Sequence, residues 1–250
     1  MDGRLACQLA CLPARFFSRI EPMTAPSLRV DHLVVLTPTL AEGVAHVCEA
    51  LGLPADAFEA GGRHPGMGTH NRLLGLWGGV YLEVMACDPE APAPERKRWF
   101  GLDSKAVKAR LANGPYLAHW VARVERPRQL KLWQQQYPAR IPPLLPMQRG
   151  DYAWHIGVPD NGALPTWKRH GGDGLLPSLI QWDLPLHPGE RLTCRGIALK
   201  RLRGFHANAN GLAKQLEWLG ASALIALEPT LVEPCLVAEF ETPAGPRTLR

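Results

Sequence analysis

Apolar residues along the chain gather in short runs broken by turn residues, and the runs alternate between two periods. Arg29–Thr37 (RVDHLVVLT) is β-branched and apolar, which predicts a strand. Leu40–Leu51 carries apolar residues at 40, 44, 47 and 51, the helical period, with Gly52 as its stop. Phe58–Arg63, Asn71–Trp77 and Val80–Cys87 predict three further strands, giving the order β-α-β-β-β. A Pro-rich connector comes next (DPEAPAPE, Asp88–Glu95), and an imperfect stripe of Trp99, Leu102, Val107 and Leu111 predicts a helix over Arg96–Asn113.

The first pattern then recurs. Tyr116–Val124 predicts a strand and Pro127–Tyr137 a helix with Pro near its start. Ile141–Met147, Tyr152–Val158 and Ser178–Asp183 predict strands, with a Gly/Pro-rich loop from Pro159 to Pro177. A shorter unit completes the chain: a strand at Gly196–Leu202, a helix at Ala209–Leu219 before Gly220, and strands at Ala223–Leu227 and Cys235–Glu241. It lacks a histidine in its first strand and reads as a degenerate βαββ wing. The expected fold class is α+β, with paired βαβββ modules at 28–88 and 115–184 in one domain (28–184), and residues 192–250 packed on it. A spacing near 85 residues describes duplication of a module rather than a solenoid.

Residues 1–22 (MDGRLACQLACLPARFFSRIEP) form a leader whose apolar part is short and interrupted by Arg4, Gln8 and Arg15. That argues against a secretory signal and for a disordered segment or an upstream start ahead of Met23.

Composition narrows the class of protein. The chain has 250 residues, 46% hydrophobic and 20% charged, with 24 Pro and 24 Gly, which suits many short elements joined by turns. Its net charge of +5 is scattered, which suits a small anionic ligand better than nucleic acid. No apolar run reaches the ~18–20 residues of a membrane span. The six cysteines form no CxxC pair, so buried free thiols and a cytoplasmic location are expected. No G-x-S-x-G elbow, P-loop or dinucleotide fingerprint occurs.

Candidate chemistry comes from laying one module over the other. VDHLVV aligns with LAHWVA, placing His32 beside His119, and VYLEVM aligns with SLIQWD, placing Glu83 beside Gln181. Such a set either binds a divalent ion (Zn, Fe, Ni, Co or Mn) with room for water, or consists of hydrogen-bonded strand residues. The loop GGRHPGMGTHNR adds Arg63, His64, Thr69, Asn71 and Arg72 as candidate substrate contacts, with His64 an acid/base candidate; turn chemistry accounts for them equally well. Trp182, Trp154 and Trp120 read as cleft walls or as plain core.

The segments DHLVV, GGRHPGMGTHNRLLGL, YLEVM and PSLIQWD resemble the glyoxalase-like domain family of the vicinal oxygen chelate superfamily, over roughly 28–183. The resemblance implies a curved-sheet cleft with metal ligands His32, Glu83, His119 and Gln181. It implies a lyase, isomerase or dioxygenase acting on a small substrate with adjacent oxygens, with Glu83 or His64 moving the proton. The chain departs from the glyoxalase I pattern at Gln181, where an amide stands in place of a proton-accepting carboxylate. A metal-free protein that sequesters a small molecule is the other function the resemblance implies. A homodimer is compatible with either.

Overall fold

The computed structural model describes residues 28–168 and 170–250; the leader lies outside them. The first module consists of β1 (Leu28–Leu36), α1 (Leu40–Leu51), β2 (Glu59–His64), β3 (Thr69–Gly75) and β4 (Tyr81–Cys87). α2 (Lys105–Leu111) leads into the second module. This comprises β5 (Tyr116–Val124), α3 (Leu130–Gln136), β6 (Leu144–Arg149), β7 (Tyr152–Gly157), a small hairpin of β8 (Thr166–Trp167) and β9 (His170–Gly171), and β10 (Ser178–Trp182). After α4 (Pro188–Arg191) come β11 (Ala198–Phe205), α5 (Ala209–Leu219), β12 (Ala226–Glu228), β13 (Cys235–Thr242) and β14 (Gly245–Leu249). The tail thus has the expected βαββ order, and β14 extends it as a hairpin with β13.

Local chemistry accounts for the boundaries. Thr39 caps α1 by accepting from the Glu42 N–H at 3.2 Å, and Gly52 ends the helix in the left-handed region at φ 67°. The helix expected over 96–113 is shorter because Phe100 adopts φ 56°, which turns the chain at Trp99–Gly101. α2 then starts after Ser104, whose hydroxyl accepts from the Val107 N–H.

Eight strands form one sheet in the order β2-β3-β4-β1-β5-β10-β7-β6. Within each module the first and last strands run parallel (β1 with β4, β5 with β10), and β1 and β5 join the modules antiparallel. The sheet curls until its edges, β2 and β6, face each other across a seam without pairing. Alternation along the strands sorts the side chains. Leu33, Val35, Leu82, Val84 and Leu179 pack outward against the helices and the C-terminal unit. Val34, Leu36, Met85, Val121, Ile156 and Ile180 pack inward with Trp99 and Phe100. Each such residue, fully buried, contributes roughly 1.5–3 kcal/mol. The C-terminal unit has its own sheet, β12-β11-β13-β14.

The thiols differ from expectation. Cys48, Cys87, Cys194 and Cys235 are free, but only Cys48 is buried, while Cys87 and Cys194 end up exposed at a strand end and in a loop. Among the described residues no helix is long and apolar enough to cross a membrane.

Candidate active site

The concave side of the curled sheet holds a cleft of roughly 380 Å³ including its open mouth. His32 enters it from β1, Tyr81 and Glu83 from β4, Asn71 from β3, and Arg149 from the end of β6; Trp99, Phe100, Trp154 and Trp182 supply apolar wall.

A bulge in β1 builds the centre of this site. Val30 pairs with Ala122 and His32 with Val121, leaving Asp31 as the extra residue. In a regular strand Asp31 and His32 would point to opposite faces; the bulge lets them meet. His32 Nδ1 donates to Asp31 Oδ1 at 2.7 Å, and Asp31 Oδ2 accepts from His187 Nε2 and Trp182 Nε1, both at 2.9 Å. The Gly189 N–H donates to His187 Nδ1, which fixes the proton of that ring on Nε2. Burial alone would raise the Asp31 carboxyl, but the hydrogen bonds from His187 and His32 outweigh it and hold the group well below the usual carboxylate range.

With its Nδ1 committed to Asp31, His32 turns Nε2 toward Glu83 Oε2, 3.5 Å away, and its ring stacks on Tyr81 at 4.6 Å. Burial, then the charges of Asp31 and Glu83, push the Tyr81 phenol well above its ordinary range. Glu83 Oε1 accepts from Asn71 Nδ2. Asn71 is oriented by a second bulge, at Gly61–Gly62 in β2. Its Oδ1 accepts from the Gly62 N–H at 2.6 Å and from Arg149 Nη1 at 3.4 Å, so its NH₂ must face the carboxylate. Gly61 is required there, because a Cβ would overlap the Asn71 side chain and backbone, whereas one on Gly62 would push the Arg149 stem aside.

His64 sits beside this array, edge-on to Trp99. Arg149 Nη1 approaches His64 Nε2 at 3.5 Å, and Nδ1 is 3.1 Å from the Thr69 hydroxyl. A guanidinium only donates, so Nε2 accepts and the ring proton lies on Nδ1. Burial, against a partly offsetting Glu83 charge, pushes His64 down to about 4, so it is neutral near pH 7.

Of the residues expected from the sequence, the fold brings His32, Glu83, His64, Asn71 and Trp182 to the cleft. Thr69 is buried behind His64. Arg63 points outward and pairs with Asp88 and Glu90, and Arg72 is exposed.

His119 and Gln181 do not join His32 and Glu83, and the expected four-donor centre is not assembled. His119 Nδ1 donates to the Gly174 carbonyl at 3.2 Å, while Nε2 accepts from the Ser178 N–H and hydroxyl at 3.2 and 3.0 Å. Burial pushes His119 down to about 3. Gln181 lies on the convex face of β10, where it donates to the Val124 and Arg128 carbonyls and accepts from the Leu130 N–H at the start of α3. Among the described residues no group of three or more His, Cys, Asp or Glu side chains is placed to hold an ion. His32 and Glu83 supply two donors where a catalytic metal takes about three, and the neighbouring cation is Arg149. The donor set does not fit a divalent ion, nor the iron that a dioxygenase reading would need.

Sequence reasoning missed Asp31, Tyr81, His187, Phe100 and Arg149. Asp31 had a signal, a carboxylate inside an otherwise apolar strand; Arg149 had none, because it reaches the site only across the seam.

The sequence model described as "Glyoxalase-like domain" matches residues 30–220. No curated protein matches the chain. Among solved structures, methylmalonyl-CoA epimerase from Mycobacterium tuberculosis is similar at 14% identity and TM-score 0.37, over 61% of this chain and 85% of that one. A hypothetical protein from Bacillus halodurans C-125 matches at 12% and 0.38, over 62% and 94%. A Streptomyces coelicolor methylmalonyl-CoA epimerase variant in complex with 2-nitronate-propionyl-CoA matches at 15% and 0.37, over 64% and 96%.

Proposed function

Because the chain belongs to the glyoxalase-like domain family, we propose that it is an isomerase or lyase that moves a proton on a small substrate bearing adjacent oxygens. The Asp31–His32–Glu83 array carries this reading: a buried, oriented imidazole faces a carboxylate across 3.5 Å in an apolar-walled cleft.

Glu83 is the base. Its Oε1 is held by Asn71, and its Oε2 makes no hydrogen bond among the described residues. It takes the proton of a C–H beside a substrate carbonyl, and the C–H electron pair moves onto the carbonyl oxygen to give an enolate. The proton then passes from Glu83 to His32 Nε2, where Asp31 stabilises the imidazolium. Return of the proton to the adjacent carbon or the opposite face completes an isomerisation; expulsion of a group from the neighbouring carbon completes an elimination.

The test is deuterium incorporation, measured by proton NMR in D₂O, into hydroxyacetone, glyceraldehyde and pyruvate. Exchange by the wild type that falls about 10²-fold or more in Glu83→Gln is expected. Ligand binding in the cleft with no exchange into any of them would replace this reading with sequestration of a small molecule.

A further inference from the structure

The remaining cleft cation identifies the class of substrate. Arg149 ends β6, an edge strand of the second module, and crosses the seam to reach Asn71 and His64 of the first. Other arginines have carboxylate partners: Arg63 pairs with Asp88 and Glu90, Arg98 with Asp103, and Arg203 with Glu228 and Glu239. Among the described residues no carboxylate lies within ion-pair distance of Arg149. Its Nη1 is shared between Asn71 Oδ1 and a neutral His64 nitrogen, and its Nε and Nη2 make no hydrogen bond among the described residues. A second donor in the same wall is also unused: the Trp99 indole N–H is buried and finds no acceptor among the described residues.

We infer that Arg149 is the anchor for a substrate carboxylate, and that the natural substrate is a small organic acid with its acidic C–H within two carbons of the bound group. A guanidinium offers two parallel N–H donors that match a carboxylate, and Nε with Nη2 form such a fork. Asn71 spans the distance between anchor and base, since one end of its amide touches Arg149 and the other touches Glu83. A carboxylate seated on Arg149 therefore directs the short carbon chain attached to it toward Glu83. The Trp99 N–H is available to an oxygen of the same ligand. Arg149 also supplies positive charge close to the developing enolate, in a cleft whose donors do not fit a divalent ion. The inference rests on the proton-transfer reading for the chemistry after binding, but binding itself does not depend on it.

The test is a fluorescence titration of the full chain, which has Trp99, Trp154 and Trp182 in the cleft wall, with sodium pyruvate, sodium malonate and neutral hydroxyacetone. Saturable binding of at least one acid is expected, weakened about tenfold or more in Arg149→Met and only partly recovered in Arg149→Lys, which keeps the charge but not the fork. Circular dichroism and thermal melts of both variants establish that they are folded. Acid binding that is unchanged in Arg149→Met overturns the anchor, as does a wild type that saturates with neither acid. In either case, Glu83-dependent exchange into hydroxyacetone would leave the proton-transfer reading standing. Arg149-dependent acid binding with no exchange into any compound would have the opposite meaning.

Discussion

Ser178 occupies in the second module the register position that Glu83 holds in the first. Glu83 lies beside Val34 across the β1–β4 pair, and Ser178 lies beside Val121 across the β5–β10 pair, with Val34 and Val121 each two residues after the module's histidine. The His32–Glu83 pair is therefore repeated as His119–Ser178, with a hydroxyl in place of the carboxylate. That exchange leaves a closed hydrogen-bonded unit in which both ring nitrogens of His119 are engaged.

Substitutions at His119 and Gln181 should accordingly change stability and leave the chemistry alone. Gln181→Leu removes three hydrogen bonds and strands the Leu130 N–H and two carbonyls. A loss of about 2–3 kcal/mol in urea unfolding is expected, with deuterium exchange per folded molecule unchanged.

Asp31→Asn should damage both. The carboxylate accepts from three donors in a fully buried position, and an amide would direct its own NH₂ at one of them. Stability should fall by about 3–5 kcal/mol, and exchange by about 10²-fold or more because His32 loses its orientation. Urea unfolding and NMR exchange measure the two losses separately.

Acid should unfold the protein through His119 and His64. Folded, these titrate at about 3 and about 4; unfolded, both titrate near pH 6.5. Between those values the unfolded chain binds more protons, so stability is complete above about pH 6.5 and falls as pH is lowered. The slope is about 1.4 kcal/mol per pH unit for each histidine. Urea unfolding between about pH 4.5 and 6 should show the contribution of both rings, and His64→Gln should reduce the slope by about one proton.

Gly62→Ala should mimic loss of the anchor. The new methyl meets the Arg149 stem, with Nε and Nη1 at 3.0 Å, and displaces the guanidinium from Asn71. Acid binding by fluorescence should weaken about tenfold, while exchange into neutral hydroxyacetone should change less.

Dialysis against a chelator should leave deuterium exchange intact, because of the four expected ligands only His32 and Glu83 converge. Loss of exchange that returns on adding zinc or manganese would show that the side chains rearrange to take an ion.

Much of the fold was legible in the sequence because its determinants are local. α1 and β5 run over the residues that periodicity predicts, since Thr39, Gly52 and an uninterrupted apolar strand fix their ends. The helix over 96–113 was over-extended because nothing in its apolar stripe reveals that Phe100 takes a left-handed backbone. In the site, matching the first strands put His32 and His119 at equivalent positions, as the β1–β5 register does. Matching the last strands by residue similarity put Gln181 where register puts Ser178, a slip of three positions that also moves the side chain to the opposite face. Arg149 was invisible because its position depends on how far an eight-stranded sheet curls, a property of the whole chain.

The seam also divides the labour of the molecule. Asp31, His32 and Glu83 stand on β1 and β4 in the interior of the sheet, where neighbours on both sides fix them, while Arg149 stands at the tip of an edge strand. If Arg149 anchors the ligand as proposed, replacing that one rim residue changes which molecules the cleft retains. The interior residues on β1 and β4, held from both sides, keep their places when it does.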